Sequence, residues 1–174
     1  MQFNLEEACI ILDRTPGVLN VLLANLGDNW IRNNEGSDTF SPFDVVGHLI
    51  HGEKTDCPDR ITMILEKGTR SNFVPYDRFA MYELSKGKEL TDLLDEFDTL
   101  RKKNMVWLRS LQLQEKDLDK EGMHPSLGVV TLRQLLATTV AHDLTHIAQI
   151  TRVMAKQYKD EIGPWLEFFR IMNF

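Results

Sequence analysis

The feature that most constrains the fold is an unbroken helix-forming run from Thr131 to about Tyr158, with apolar residues at helical spacing. Thr131 and Gln134 form a capping-box pattern at its start. Within it, AHDLTHIAQI (residues 141–150) sets His142 and His146 four residues apart. An α-helix stacks positions i and i+4 on one face. Gln149 shares that face, and Thr138 and Thr139 lie one turn earlier. Buried polar groups cost free energy unless paired or liganded, so a polar stripe on a leucine- and isoleucine-rich helix points to a site between helices.

Three further segments carry the same period. Leu5, Ala8, Cys9, Leu12, Val18, Leu19, Leu22 and Leu23 predict a first helix over residues 4–26, with a kink or break at Thr15-Pro16-Gly17. Residues 27–40, rich in Gly, Asn and Asp, read as a loop. Ser41 as N-cap, Pro42 and Asp44 open a second helix, bent near Asp56 by Pro58 and resuming to Lys67. A third helix is expected over about 88–112, with Leu90, Leu93, Leu94, Phe97, Leu100, Met105, Trp107, Leu108 and Leu111 as apolar positions. Residues 68–87 are long for a structureless connection, so they are expected to pack across the bundle or border a site. Residues 113–130 leave room for a short extended piece, and Gly163-Pro164 starts a short terminal helix. The expected fold class is all-α: a four-helix bundle with a short C-terminal helix, as one domain over residues 1–174.

A net charge of −6 argues against a general nucleic-acid binder, which needs a basic face to displace counterions. The run Arg101-Lys102-Lys103 is short, follows an acidic stretch and reads as a solvated helix face. No segment has the roughly 20 apolar residues that span a bilayer, and the N-terminus lacks the basic start of a secretory signal. Two cysteines, Cys9 and Cys57, without a CxxC motif fit a reducing, cytoplasmic setting. The expected partner is a small-molecule substrate, with no nucleic acid, no membrane and room for a homodimer.

Two stacked imidazoles can hold one metal ion, although a lone pair also fits two packed side chains. VVGHLIHGE (residues 45–53) adds His48 and His51 on another helix, and a metal needs ligands from more than one element. His48 sits among apolar residues and is favoured as the ligand; His51 adjoins a polar run and reads as a supporting residue. His124, beside Pro125, lies in an expected loop. Three neutral imidazoles suit Zn²⁺ or Ni²⁺ and leave a position for water or substrate, the arrangement of a catalytic site. Such an ion lowers the pKa of bound water toward ~7.

Other motifs fit less well. HDLTH is not HExxH, because Asp143 stands where zinc proteases have their glutamate base, so Asp143 is either a shorter base or a supporting carboxylate. A di-iron bundle needs two Glu-x-x-His motifs, and neither histidine of the pair has glutamate three residues before it. There is no P-loop, GxGxxG or nucleophile elbow.

At these residues the chain resembles the DinB/YfiT-like family of metal-dependent enzymes. The resemblance rests on His48-Leu49 in the second helix, His142-x3-His146-x2-Gln149 in the last long helix, and Arg14-Thr15-Pro16 with Val18-Leu19 in the first. It spans most of the chain. It implies a four-helix bundle with a mononuclear three-histidine site, His48, His142 and His146 as ligands, and Zn²⁺ or Ni²⁺ as metal. It further implies hydrolysis, or transfer and isomerisation with a low-molecular-weight thiol cosubstrate such as bacillithiol, mycothiol or glutathione. The family name records induction by DNA damage and implies no polymerase. Two features depart from parts of the family: there is no additional domain or clear thiol-recognition signature, and His51 is an extra imidazole near the site. The expected function is therefore metal-dependent activation of water or a thiol, with His51, Asp143 and Gln149 supporting the ligands. The alternative is a metal or small-ligand binding bundle without catalysis. Arg70, Tyr76 and Arg78 are candidates for recognising an anionic substrate.

Overall fold

Each of the four apolar runs forms a helix in the computed structural model, which describes residues 1–173. The long helices are α1 (Leu5–Leu23), α3 (Pro42–Thr55), α6 (Leu90–Ser110) and α8 (Leu132–Lys156). Short helices α2 (Asp28–Arg32), α5 (Met81–Ser85) and α7 (Glu115–Leu118) lie in the connections. The second run divides where Pro58 predicts: α3 ends at Thr55, Asp56 turns at φ −117° and ψ −76°, and α4 (Cys57–Lys67) resumes. The capping box expected at Thr131 forms, and Ser41, expected as an N-cap, forms one with Asp44 as well. Ser41 Oγ accepts from Asp44 N at 3.2 Å, and Asp44 Oδ2 from Ser41 N at 2.9 Å. Thr131 and Gln134 do the same at the start of α8.

The extended piece in the last connection is an antiparallel hairpin, β1 (Glu121–His124) and β2 (Gly128–Thr131), with Gly122 opposite Val130. A Cβ on Gly122 would stand 2.6 Å from Ile64 Cγ1 and 2.9 Å from the Phe73 ring, so only glycine lets the hairpin lie this close to α4. The 68–87 connection does pack inward: Phe73 and Met81 are buried, and Phe73 N donates to Met123 O at 2.8 Å. The terminal helix is 3₁₀ rather than α, as Gly163–Phe168 and Arg170–Asn173. No helix is long and apolar enough to cross a membrane among the described residues.

Of the kink or break expected at Thr15-Pro16-Gly17, the break does not occur; α1 runs through Pro16. Proline at position 16 removes the N–H that would bond the carbonyl of Leu12. That carbonyl is not orphaned, because Arg101 Nη1 on α6 donates to it at 2.8 Å. A tertiary hydrogen bond thus replaces the missing helical one.

The interior has two apolar clusters. One gathers Leu19, Leu23, Val46, Leu49, Ile50, Phe97 and Ile150; the other gathers Leu12, Ile61, Ile64, Met105, Leu108, Leu132 and Leu136. Each long helix carries a buried polar residue near the junction of these two sets. These residues include Thr15 on α1, Glu53 at the end of α3, Arg101 on α6 and Asp143 on α8. Arg101 is 3% exposed, and it lies between Asp143 at 1% and Glu53 at 8%. It donates to Asp143 at 2.6 and 3.1 Å and to Glu53 Oε1 at 3.0 Å. Asn104 Nδ2 completes the layer with 2.8 Å bonds to the Glu53 side chain and carbonyl. Burial by itself would lower the Arg101 pKa, but Asp143 and Glu53 outweigh it and hold the guanidinium charged.

Replacing Arg101 by Met leaves two buried carboxylates without their cation and frees the Leu12 carbonyl. Breaking a buried ion network this way costs about 3–5 kcal/mol. The urea midpoint of Arg101→Met is expected to drop accordingly. A midpoint close to that of the unmodified protein would show that the layer is not what joins the helices.

Candidate metal centre

Three of the predicted histidines meet beside this polar layer. His48 lies on α3 and is buried; His142 and His146 lie one turn apart on α8 and are half-buried. His142 Nε2 stands 3.1 Å from His48 Nε2 and 3.1 Å from His146 Nε2. The three ligand atoms all lie within 4.8 Å of one another.

The outer ring nitrogens are held by partners that fix the tautomers. Gln149 Oε1 is 2.8 Å from His146 Nδ1 and carries no hydrogen, so Nδ1 of His146 donates to it. The Tyr76 hydroxyl donates to the His48 carbonyl at 3.3 Å, and its oxygen accepts from His48 Nδ1 at 3.2 Å. Nε2 of both rings is then a bare lone pair aimed into the cluster. Burial disfavours protonation and the neighbouring rings add to it, so His48 titrates at about 3. Burial, then the charge of His146, pulls His142 down to about 4. Burial also lowers His146, partly opposed by its bond to Gln149. Neutral imidazoles converging on one point, two of them with their protons turned outward, are a donor set for a borderline-soft divalent ion.

A cavity of about 270 Å³ opens beside the cluster and is lined by His48, His142, Tyr76, Cys57, Arg78 and Thr138 among others. That is the size of a small-molecule site.

The model of the DinB superfamily matches residues 11–150. The chain belongs to the DinB superfamily. Its fold is similar to that of YfiT from Bacillus subtilis, a probable metal-dependent hydrolase with an unusual four-helix bundle topology. The two are 23% identical, with a TM-score of 0.73, over 91% of this chain and 87% of YfiT. No curated protein matches the chain.

The remaining predicted residues of this DinB-superfamily protein fall into two groups. Gln149 supports His146 directly, whereas His51 reaches the cluster only through Tyr76, whose ring centroid is 4.8 Å from its own. The Asp143 carboxylate is turned to Arg101. His124 lies on the hairpin, where Nδ1 accepts from Ser126 N and Leu127 N at 3.1 Å. Arg70 caps the end of α4 by donating to the carbonyls of Glu66 and Lys67. Cys57 lies at the cavity wall, with Sγ 3.4 Å from Thr139 Oγ1 and its thiol pushed up to about 12 by burial. Sequence reading missed Arg101, taken there as surface, and the contact of Tyr76 with His48. For Arg101 a signal existed: it lies midway between Phe97 and Met105, on the apolar stripe of α6. For Tyr76 there was none, because its role depends on how the 68–87 connection folds back.

The depressed histidines give a pH dependence. The unfolded rings take up protons near 6.5, whereas His142 and His48 in the fold resist until about 4 and about 3. Unfolding therefore binds protons across that interval, and the stability of chelator-treated protein falls as pH drops from about 6.5. Urea midpoints of the unmodified chain are expected to decline more steeply over that range than those of a His48→Asn, His142→Asn double variant. Parallel declines would contradict the tautomer scheme.

Proposed function

We propose that this protein is a metal-dependent enzyme whose His48, His142 and His146 hold one divalent ion, Zn²⁺ or Ni²⁺. We further propose that it acts on a small-molecule substrate by hydrolysis or by S-transfer from a low-molecular-weight thiol. The observation that carries the reading is the approach of three Nε2 atoms while Gln149 and Tyr76 take the protons of the outer nitrogens. The lone pairs of His48 and His146 Nε2 both point toward His142 Nε2, and one cation among the three nitrogens would be shared by all of them. Nitrogens about 2.1 Å from one ion stand about 3.0–3.4 Å apart, which matches the two spacings that His142 Nε2 makes with its neighbours, each 3.1 Å.

When bound, such an ion supplies Lewis acidity and brings water or a thiol toward ionisation near pH 7. The chain's own residues do the positioning. Tyr76 and Gln149 orient the rings, and the Arg101–Asp143 pair fixes the turn of α8 that carries His142. Neither cysteine is a suitable nucleophile: Cys9 is buried in the core, and the Cys57 thiol is protonated and bonded to Thr139. Asp143 is held by Arg101 and is not free to act as a base. The description of YfiT as a probable hydrolase supports hydrolysis as the first activity to assay. A site closed by His51 has no support, since that ring packs on Tyr76 outside the three-nitrogen cluster.

Elemental analysis of untagged protein is expected to find one divalent ion per chain, lost in His142→Ala and kept in His124→Ala. Chelation is expected to lower Tm, because an ion at a hundredfold excess over its Kd stabilises the fold by about 2.7 kcal/mol. Unchanged metal content in His142→Ala overturns the ligand set.

Competition with a chromophoric chelator tests the supporting bonds. Tyr76→Phe and Gln149→Leu each remove one outer partner, which typically costs about 10–100-fold in metal affinity. Affinities equal to that of the unmodified chain would mean that these bonds do not orient the rings.

A further inference from the structure

Three guanidinium groups line the cavity beside the histidines, and two are neutralised there. Arg60 Nε lies 2.7 Å from Asp56 Oδ1, and Arg101 is held between Glu53 and Asp143. Arg78 has no ion-pair partner among the described residues. The neighbouring Asp77 carboxylate is occupied, accepting from Phe79 N at 2.9 Å. Arg78 is exposed but packs against two aromatic rings. Its guanidinium carbon lies 5.2 Å from the Phe40 ring centre and 5.0 Å from that of Phe79. Phe40 in turn packs on His48 at 5.7 Å, so Arg78 stands one aromatic ring away from the cluster. Aromatic contact engages the guanidinium faces and leaves its edge, a fork of N–H donors, for a ligand.

The Arg60–Asp56 pair is neutral, and Arg78 offsets the one net negative charge of Arg101 with Glu53 and Asp143, so the charged lining sums to zero. A divalent ion at the histidines would make the cavity positive and favour an anionic ligand. A planar carboxylate matches the single free fork in a bidentate pair. We propose that Arg78 is a specificity-determining residue that binds a carboxylate at one end of the substrate while the reacting group lies at the three histidines. The inference rests on the metal reading above, and it narrows the substrate class to small carboxylic acids.

The test uses full-length protein loaded with Co²⁺, whose absorption reports both the nitrogen ligands and the binding of a thiol. The probes are ω-mercaptocarboxylic acids of increasing chain length, each paired with its neutral ω-mercaptoamide. The amides report thiol ligation alone. At the chain length that spans from the cluster to Arg78, the acid is expected to bind about tenfold or more tighter than the amide, the range of a charge-assisted hydrogen bond. Arg78→Gln should abolish this preference and Arg78→Lys should retain part of it. Equal affinities for acid and amide at every chain length would overturn the inference. So would a preference that survives in Arg78→Gln, which would put the carboxylate elsewhere. Absence of a nitrogen-ligated cobalt spectrum is a different result: it overturns the metal reading itself, and the inference with it.

Discussion

The structure depends on one buried cation. Arg101 lies where the four long helices come together and bonds to three of the elements around it: the carbonyl of Leu12 on α1, Glu53 on α3 and Asp143 on α8. A guanidinium at 3% exposure is tolerable only because every direction it offers is met by an acceptor. The carboxylates in turn are tolerable only because of it. This mutual dependence sets the level of each helix along the bundle. A shift of one helix by a turn would leave a buried charge unpaired.

That layer also explains why a polar cluster exists inside an otherwise apolar bundle. The two hydrophobic clusters lie on either side of it and exclude water from the helix interfaces. Asp143 is adjacent to His142 in sequence, so anchoring its carboxylate to Arg101 fixes the rotation of α8 at that turn. The remaining freedom of the rings is removed by Gln149 on the same helix and by Tyr76 from the connection after α4. The result is a set of nitrogens whose directions are set by the surrounding side chains.

The proline in α1 belongs to the same arrangement. In isolation it weakens the helix, because one carbonyl loses its donor. In the fold that carbonyl becomes an acceptor for Arg101, and the local defect becomes a tertiary contact. Membership of the DinB superfamily and the likeness to YfiT describe the bundle; the Arg101 network and the Arg78 clamp are read from this chain's own side chains.

The sequence by itself determined the helices, their caps, the bend before Pro58 and the pairing of His142 with His146. Each of these is set by neighbours within about one turn, through helical periodicity, capping chemistry or the missing N–H of proline. The apolar context of His48 differed from the polar run after His51, and in the fold it is His48 that meets His142 and His146. Tertiary structure alone decided the rest. Arg101 read as part of a solvated basic run, since its partners Glu53 and Asp143 are 48 and 42 residues away in the chain. Pro16 read as a kink or break, since its compensating donor is on another helix. Tyr76 and Arg78 read as candidates for recognising an anionic substrate, and only the fold of the 68–87 connection brings one to His48 and the other to the rings of Phe40 and Phe79. Local patterns specify elements, but a buried charge and its partners are chosen by which helices face each other, and that is a property of the packed chain.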